Sequence, residues 1–211
     1  MTICASSGVE AAVIRLYRRH AQAWAAERGD RLIERAWLDR FGAKLPPGAA
    51  ILDIGCGSGR PIARHLISQG HRITGIDAAP EMIALCRSAF AGEEWRVADM
   101  RELALGRRFA GLIAWDSFFH LGQPAQRGMF PVFAAHAAPG AALLFTSGPT
   151  AGTAIGSYRG EALHHASLDP AEYRALLAAN GFRVVAHAVE DPDCGGHTVW
   201  LARFSHPDVG I

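Results

Sequence analysis

Ile51-Leu52-Asp53-Ile54-Gly55-Cys56-Gly57-Ser58-Gly59 is a short apolar run, interrupted by one acid, that ends in three alternating glycines. A run of this length bounded by turn residues reads as a buried parallel strand, here Ala49 to Ile54 behind the punctuation Leu45-Pro46-Pro47-Gly48. Glycines at a strand end let the chain turn tightly and let a ligand approach the backbone. Turning alone does not account for an acid inside the strand with Gly-x-Gly-x-Gly directly after it, so cofactor binding is the sharper reading. A dinucleotide fingerprint would read Gly-x-Gly-x-x-Gly and offer a helix N-terminus to a pyrophosphate. Here the third glycine comes one residue too early.

Beyond the turn, helical and strand patterns alternate. A helix is expected at about Arg60 to Gln69, a strand at His71 to Ile76, a helix from Pro80 to about Phe90 and a strand at Glu94 to Ala98. A strand at Phe109 to Trp115, a helix from about Pro124 to Ala137 and a strand at Ala141 to Thr146 follow. Pro170 opens a helix that stops at Asn180-Gly181, and the apolar runs Phe182 to Val189 and Thr198 to Phe204 read as an antiparallel hairpin. Ahead of the first strand, Val13, Leu16, Tyr17, Trp24, Leu32, Ile33, Ala36, Trp37 and Phe41 recur near helical spacing, broken at Gly29-Asp30. Two amphipathic helices therefore precede an α/β core, a parallel sheet with helices on both faces, because right-handed crossovers must cover it.

The bulk numbers narrow the chemistry. With 211 residues, 50% hydrophobic and 19% charged, the chain suits a single domain around one core. Lys plus Arg number 21 against 20 for Asp plus Glu, so no broad positive field exists to hold nucleic acid, and a small-molecule substrate fits better. Cys4, Cys56, Cys86 and Cys194 show no metal-ligand spacing, and no secretory segment is evident, which predicts a reducing, cytoplasmic setting without zinc or disulfides. The apolar stretches are strand-length, far short of the roughly 20 residues that cross a bilayer, so no membrane association is expected.

Two further acids sit where a nucleoside would need them. Asp77 ends the second strand, 18 residues past Gly59, where doubly wound folds place an acid for ribose hydroxyls. Asp99 closes the third strand in Val97-Ala98-Asp99-Met100, placed either to accept from an adenine amino group or simply to cap a helix. Together, Asp53, the glycines, Asp77 and Asp99 resemble the class I S-adenosylmethionine-dependent methyltransferase family over roughly Ala49 to Phe204.

That resemblance implies a three-layer Rossmann-like sandwich whose seven-stranded, mostly parallel sheet ends in an antiparallel strand, with N-terminal helices (1–44) folded over the cofactor. It implies S-adenosylmethionine as cofactor and S-adenosylhomocysteine as product. Gly55, Cys56, Gly57 and Gly59 would line the methionine part, Asp77 and Ala78 the ribose, and Asp99 with Met100 the adenine. Asp53 would order the loop or meet the amino group.

The fourth strand leaves through Ala114-Trp115-Asp116-Ser117-Phe118-Phe119-His120, and in open α/β sheets ligands gather beyond such strand ends. Methyl transfer from a sulfonium is an in-line displacement that needs alignment and shelter from water. Trp115 and Asp116 are expected at the cofactor, and Phe118 and Phe119 at the substrate, with one of the phenylalanines facing the core. His120 is the candidate general base for an acceptor that must lose a proton, alternatively a hydrogen-bonding group where alignment suffices. Asp116 alone does not make a magnesium site, so no metal is expected. The strand end also lacks the Asn/Asp-Pro-Pro-Tyr/Phe motif of enzymes that methylate nucleic-acid or glutamine amino groups.

Residues 147–168 form a Gly/Ser/Thr-rich stretch longer than usual connections and read as a lid-like loop, with Tyr158 and His165 as substrate contacts. Tyr17, Trp24 and Arg28 share one helical face, from which Tyr17 or Arg28 could meet a methionine carboxylate. His197 opens the last strand near the same rim but, beside Gly195-Gly196, reads as a turn residue and not a ligand, and the same holds for His136, His187 and His206. The competing readings are a nicotinamide-dependent reductase, disfavoured by the glycine spacing and the lack of Tyr-x-x-x-Lys, and a non-catalytic cofactor-binding domain. The acceptor atom and oligomeric state are not encoded in these patterns.

Overall fold

The computed structural model describes residues 7–205; Cys4 and His206 lie outside that range. The chain opens with helices α1 (Ser7–Arg28) and α2 (Arg35–Gly42). The α/β core continues as β1 (Ala50–Ile54), α3 (Ile62–Ser68), β2 (Arg72–Asp77), α4 (Pro80–Ala89), β3 (Glu94–Val97), β4 (Phe109–Ala114), α5 (Gln123–His136) and β5 (Ala137–Ser147). After β6 (Gly152–Tyr158) and β7 (Glu161–Ser167), α6 (Pro170–Ala179), β8 (Phe182–Asp191) and β9 (His197–Phe204) complete it.

Seven strands form one sheet in the order β3-β2-β1-β4-β5-β9-β8. All neighbours pair in parallel except β9, which runs antiparallel to both β5 and β8. The sheet is a seven-stranded, mostly parallel one with its last strand reversed, flanked by helices. Its apolar strands are buried on both faces, as a parallel sheet between helix layers requires. Leu52, Leu112, Phe118, Phe130, Phe133, Phe145, Tyr173 and Trp200 fill one side. Trp37, Phe41, Ile51, Ile73, Ile113 and Leu144 fill the other.

Local chemistry sets the element ends. Pro80 and Pro170 occupy first turns, where a missing N–H costs nothing, and the Asp169 carboxylate accepts from the Ala171 N–H to cap α6. The direction of strand addition reverses between β1 and β4, which opens a crevice at their carboxyl ends.

The stretch 147–168 departs from the sequence reading. It is not a long loop but the antiparallel hairpin β6–β7, paired from Gly152↔Ser167 to Tyr158↔Glu161. Arg159 and Gly160 both have positive φ, 51° and 81°, the two-residue turn that matches the twist of its strands. No helix among the described residues is long and apolar enough to cross a membrane.

Candidate active site

The glycine turn is stitched to β2. Gly55 N and Cys56 N both donate to the Ile76 carbonyl, at 2.8 and 2.9 Å. Gly57 N donates to Asp77 Oδ2 at 3.0 Å, and Asp77 Oδ1 accepts from Ala79 N at 2.8 Å. Gly55 and Gly57 have φ of 75° and 53°, and a Cβ on Gly55 would fall 2.3 Å from Ser117 Cβ. The turn therefore admits only glycine there, and it leaves backbone facing a cavity.

That cavity lies beyond the ends of β1, β2 and β4, roofed by α1. Tyr17, Trp24 and Arg28 face it from the helix. Asp53, Gly55, Cys56 and Gly57 face it from the turn, Asp77 and Ala78 from β2, and Asp99 and Met100 from the end of β3. Trp115, Asp116 and His120 close it beyond β4. Gly59 is not among the lining residues; it packs toward Phe90 and Cys86 instead. Glu10, Arg60 and Arg101 also line the cavity and went unmarked in the sequence, because nothing local separates them from surface charges.

Burial shapes the charges. The Asp53 carboxyl is buried with no side-chain hydrogen bond among the described residues, and desolvation, with Asp77 nearby, pushes it up to about 7. Desolvation likewise lifts Asp77 to about 6, against the two backbone N–H groups that favour its charge. Two poorly solvated carboxylates facing one cavity call for a cation or for hydroxyl donors. Asp99 differs: burial opposes its charge, but the Arg101 side chain and backbone N–H overcome that and hold it below its ordinary value. It is a capping aspartate already engaged by Arg101.

Arg28 is likewise engaged. Its Nη2 donates to the buried Glu34 at 2.5 Å and its Nη1 to the Arg31 carbonyl at 2.9 Å. Trp115 lines the cavity with its indole N–H buried and without a hydrogen-bond partner among the described residues.

His120 sits in a short hydrogen-bonded chain. Its Nδ1 lies 2.9 Å from the His164 carbonyl, which only accepts, so Nδ1 carries the proton. Its Nε2 then accepts from the Tyr17 hydroxyl at 3.0 Å. Desolvation drives the imidazole down to about 4 and raises the Tyr17 phenol, so both are neutral across the physiological range.

A second cleft, of about 510 Å³, opens between the β6–β7 hairpin and the turn joining β8 to β9. Phe119 and His165 line it, with Ser147, Glu190, His197 and others. Of the expected substrate contacts, Phe119 and His165 therefore reach a cleft, and their rings lie 5.2 Å apart. Phe118 does not: it is fully buried among Phe130, Phe133, Phe145 and Tyr173. Tyr158 also lies elsewhere, since its hydroxyl donates to Glu27 Oε2 of α1 at 2.8 Å and its ring packs on His20. Among the described residues, no group of three or more His, Cys, Asp or Glu is arranged to hold a metal.

Residues 51–140 match the model of a methyltransferase domain. The sheet order and its reversed last strand are those of the class I methyltransferase fold. A dTDP-3-amino-3,6-dideoxy-α-D-glucopyranose N,N-dimethyltransferase from Streptomyces fradiae is 33% identical over 96 residues. That match takes in 44% of this chain and only 37% of the relative's length. Two solved methyltransferases share the fold along most of the chain. One is a 1,6-didemethyltoxoflavin-N1-methyltransferase from Burkholderia thailandensis with bound 1,6-didemethyltoxoflavin and S-adenosylhomocysteine, at a TM-score of 0.75 and 21% identity, covering 97% of this chain and 92% of that one. The other is an S-adenosylmethionine-bound amino pentose methyltransferase from Micromonospora echinaspora, at a TM-score of 0.69 and 21% identity, covering 87% and 96%.

Proposed function

We propose that the protein is an S-adenosylmethionine-dependent methyltransferase acting on a small-molecule amine. The observation that carries this reading is the cavity at the β1/β4 reversal, where Asp53 and Asp77 stand desolvated around a turn spaced for a nucleoside and not for a diphosphate. Asp77, with its backbone partners fixed, keeps lone pairs for a ribose diol, and Asp53 would meet the methionine ammonium. The Trp115 N–H, unpartnered among the described residues, and the cationic Arg60 suit a carboxylate. A pyrophosphate would face the same two carboxylates and be repelled, which disfavours a nicotinamide reductase.

S-adenosylmethionine supplies an electrophilic methyl group on a sulfonium. The chain's part is to align the acceptor and exclude water. Tyr17 and His120 stand where the cofactor cavity is closed toward Phe119 and His165 of the second cleft, with the His120 and His165 rings 4.9 Å apart. His120, neutral and with Nε2 accepting from Tyr17, is the group we assign to take the acceptor's proton through the phenol or after a small rotation. The second cleft has no Lys or Arg among its described lining residues, which suits a neutral or cationic acceptor. The Streptomyces relative and the Burkholderia structure are both nitrogen methyltransferases by name, which supports nitrogen as the acceptor atom. The near-zero net charge argues against a nucleic-acid partner, and the free Cys56, Cys86 and Cys194 suit a reducing cytoplasm.

Calorimetry against S-adenosylhomocysteine and NADH, followed by a screen of amines with methyl-labelled S-adenosylmethionine, tests the proposal. Tight uptake of the homocysteine nucleoside and label in an amine are expected. Retention of NADH alone would overturn it.

A further inference from the structure

His197, which the sequence presents as a turn residue, has both ring nitrogens against acceptors. Nδ1 lies 2.6 Å from the Cys194 carbonyl, and Nε2 lies 3.0 and 3.2 Å from the two oxygens of Asp116. A carbonyl only accepts, so Nδ1 carries a proton, and a second proton is shared across the contact with the carboxylate. The imidazole also packs on the Trp115 indole, with centroids 5.4 Å apart. Asp116 in turn has φ of 47°, a left-handed conformation uncommon outside glycine, asparagine and aspartate. Its N–H donates to Thr146 Oγ1 at 2.9 Å. Asp116 lines the cofactor cavity and His197 lines the second cleft, so the pair straddles the seam between the two.

We infer that His197 is a positioning residue for methyl transfer: clamped by Cys194 and Trp115, it fixes the Asp116 carboxylate so that a free lone pair accepts an N–H of the acceptor at the seam. The inference rests on the amine-methyltransferase reading above. An N–H held by Asp116 turns the nitrogen lone pair toward the cofactor, and the carboxylate meets the positive charge that develops on nitrogen as the methyl moves. A bare carboxylate would instead favour the protonated amine, which has no lone pair to attack with, and the adjacent imidazolium tempers that.

The groups facing His197 are Asp116 beyond β4, the Cys194 carbonyl in the turn before β9 and Glu34 ahead of α2 with its partner Arg28, and Glu190 lines the same cleft. The hydrogen bond and charge of Asp116 outweigh burial and raise the imidazole above its ordinary value. The clamp therefore holds below that raised value and opens as pH rises through it, when Nε2 loses its proton and turns a lone pair on the carboxylate.

The test has two arms. In the first, carbon-detected titration of the His197 ring is compared between the wild type and Asp116→Asn, with no substrate present. A wild-type titration above the ordinary histidine value, dropping in Asp116→Asn, is expected; identical titrations would overturn the clamp. In the second, His197→Ala and His197→Gln are assayed with the amine that the labelled-methyl screen identifies. His197→Ala should raise the acceptor KM or lower kcat/KM at least tenfold, leave S-adenosylhomocysteine affinity within threefold of wild type and lose the alkaline limb that opening of the clamp gives the wild-type pH profile of kcat/KM. His197→Gln, which keeps a donor toward Asp116, should recover most of the loss without restoring the limb. Wild-type acceptor kinetics in His197→Ala would overturn the positioning role. A screen in which no amine takes label would instead defeat the functional reading, and the titration alone would then decide whether the clamp exists.

Discussion

The Trp24 indole lies across Gly57 so closely that a Cβ on that glycine would come within 3.1 Å of the ring. Through this contact a residue of the N-terminal helix presses on the turn that ends β1. Gly57 also needs its φ of 53°. Gly57→Ala should cost about 1–2 kcal/mol of stability and weaken S-adenosylhomocysteine binding at least tenfold. Thermal unfolding and calorimetry on the same variant check both.

Asp53 and Asp77, lifted to about 7 and about 6, make ligand uptake depend on pH. Both lie above their unfolded value, so their contribution to the free protein's stability is full in acid and is lost as pH rises through the folded values. A ligand that supplies an ammonium and a diol favours the ionised acids. S-adenosylhomocysteine affinity should therefore rise on the order of tenfold from pH 5.5 to 7.5, and the Asp53→Asn variant should flatten the rise.

His120 behaves in the opposite sense. Its folded value of about 4 lies below the unfolded one, so the stability it contributes is present above about pH 6.5 and is lost progressively as pH falls toward 4. His120→Asn should remove that acid-side slope in denaturant titrations. It should also lower turnover on the order of a hundredfold with S-adenosylhomocysteine affinity retained. Unchanged turnover would leave alignment as the whole of the catalysis.

Phe118 and Phe119 are adjacent in sequence but belong to different parts of the molecule. Phe118→Ala opens a cavity in a packed aromatic cluster and should destabilise by about 3–5 kcal/mol. Phe119→Ala should leave the melting temperature nearly unchanged and raise the acceptor KM.

The legible part of this protein was local. An apolar strand running into Gly55, Gly57 and Gly59, an acid at Asp77 and prolines at helix starts are each decided by neighbours in sequence, and the structure places them accordingly. The β6–β7 hairpin escaped because its turn uses Arg159-Gly160 in place of Asn-Gly or Asp-Gly, and its strands carry no clean alternation. Phe118 and Phe119 fall in a single 3₁₀ turn, where no period tells the inward ring from the outward one. Asp116 and His197 meet only because β4 and β9 both flank β5, a neighbourhood set by topology and invisible to spacing.

Helix α1 touches both the cavity and the β6–β7 hairpin. Its inner face carries Tyr17, Trp24 and Arg28 above the nucleoside cavity, while Arg19 and His20 grip Glu161 and Glu27 grips Tyr158 and Arg159 of the hairpin. One rod thus bolts the roof of the cavity to the tip of the hairpin whose strands line the second cleft. A shift of that rod away from the cavity would pull on these ion pairs and so be felt by the hairpin as well.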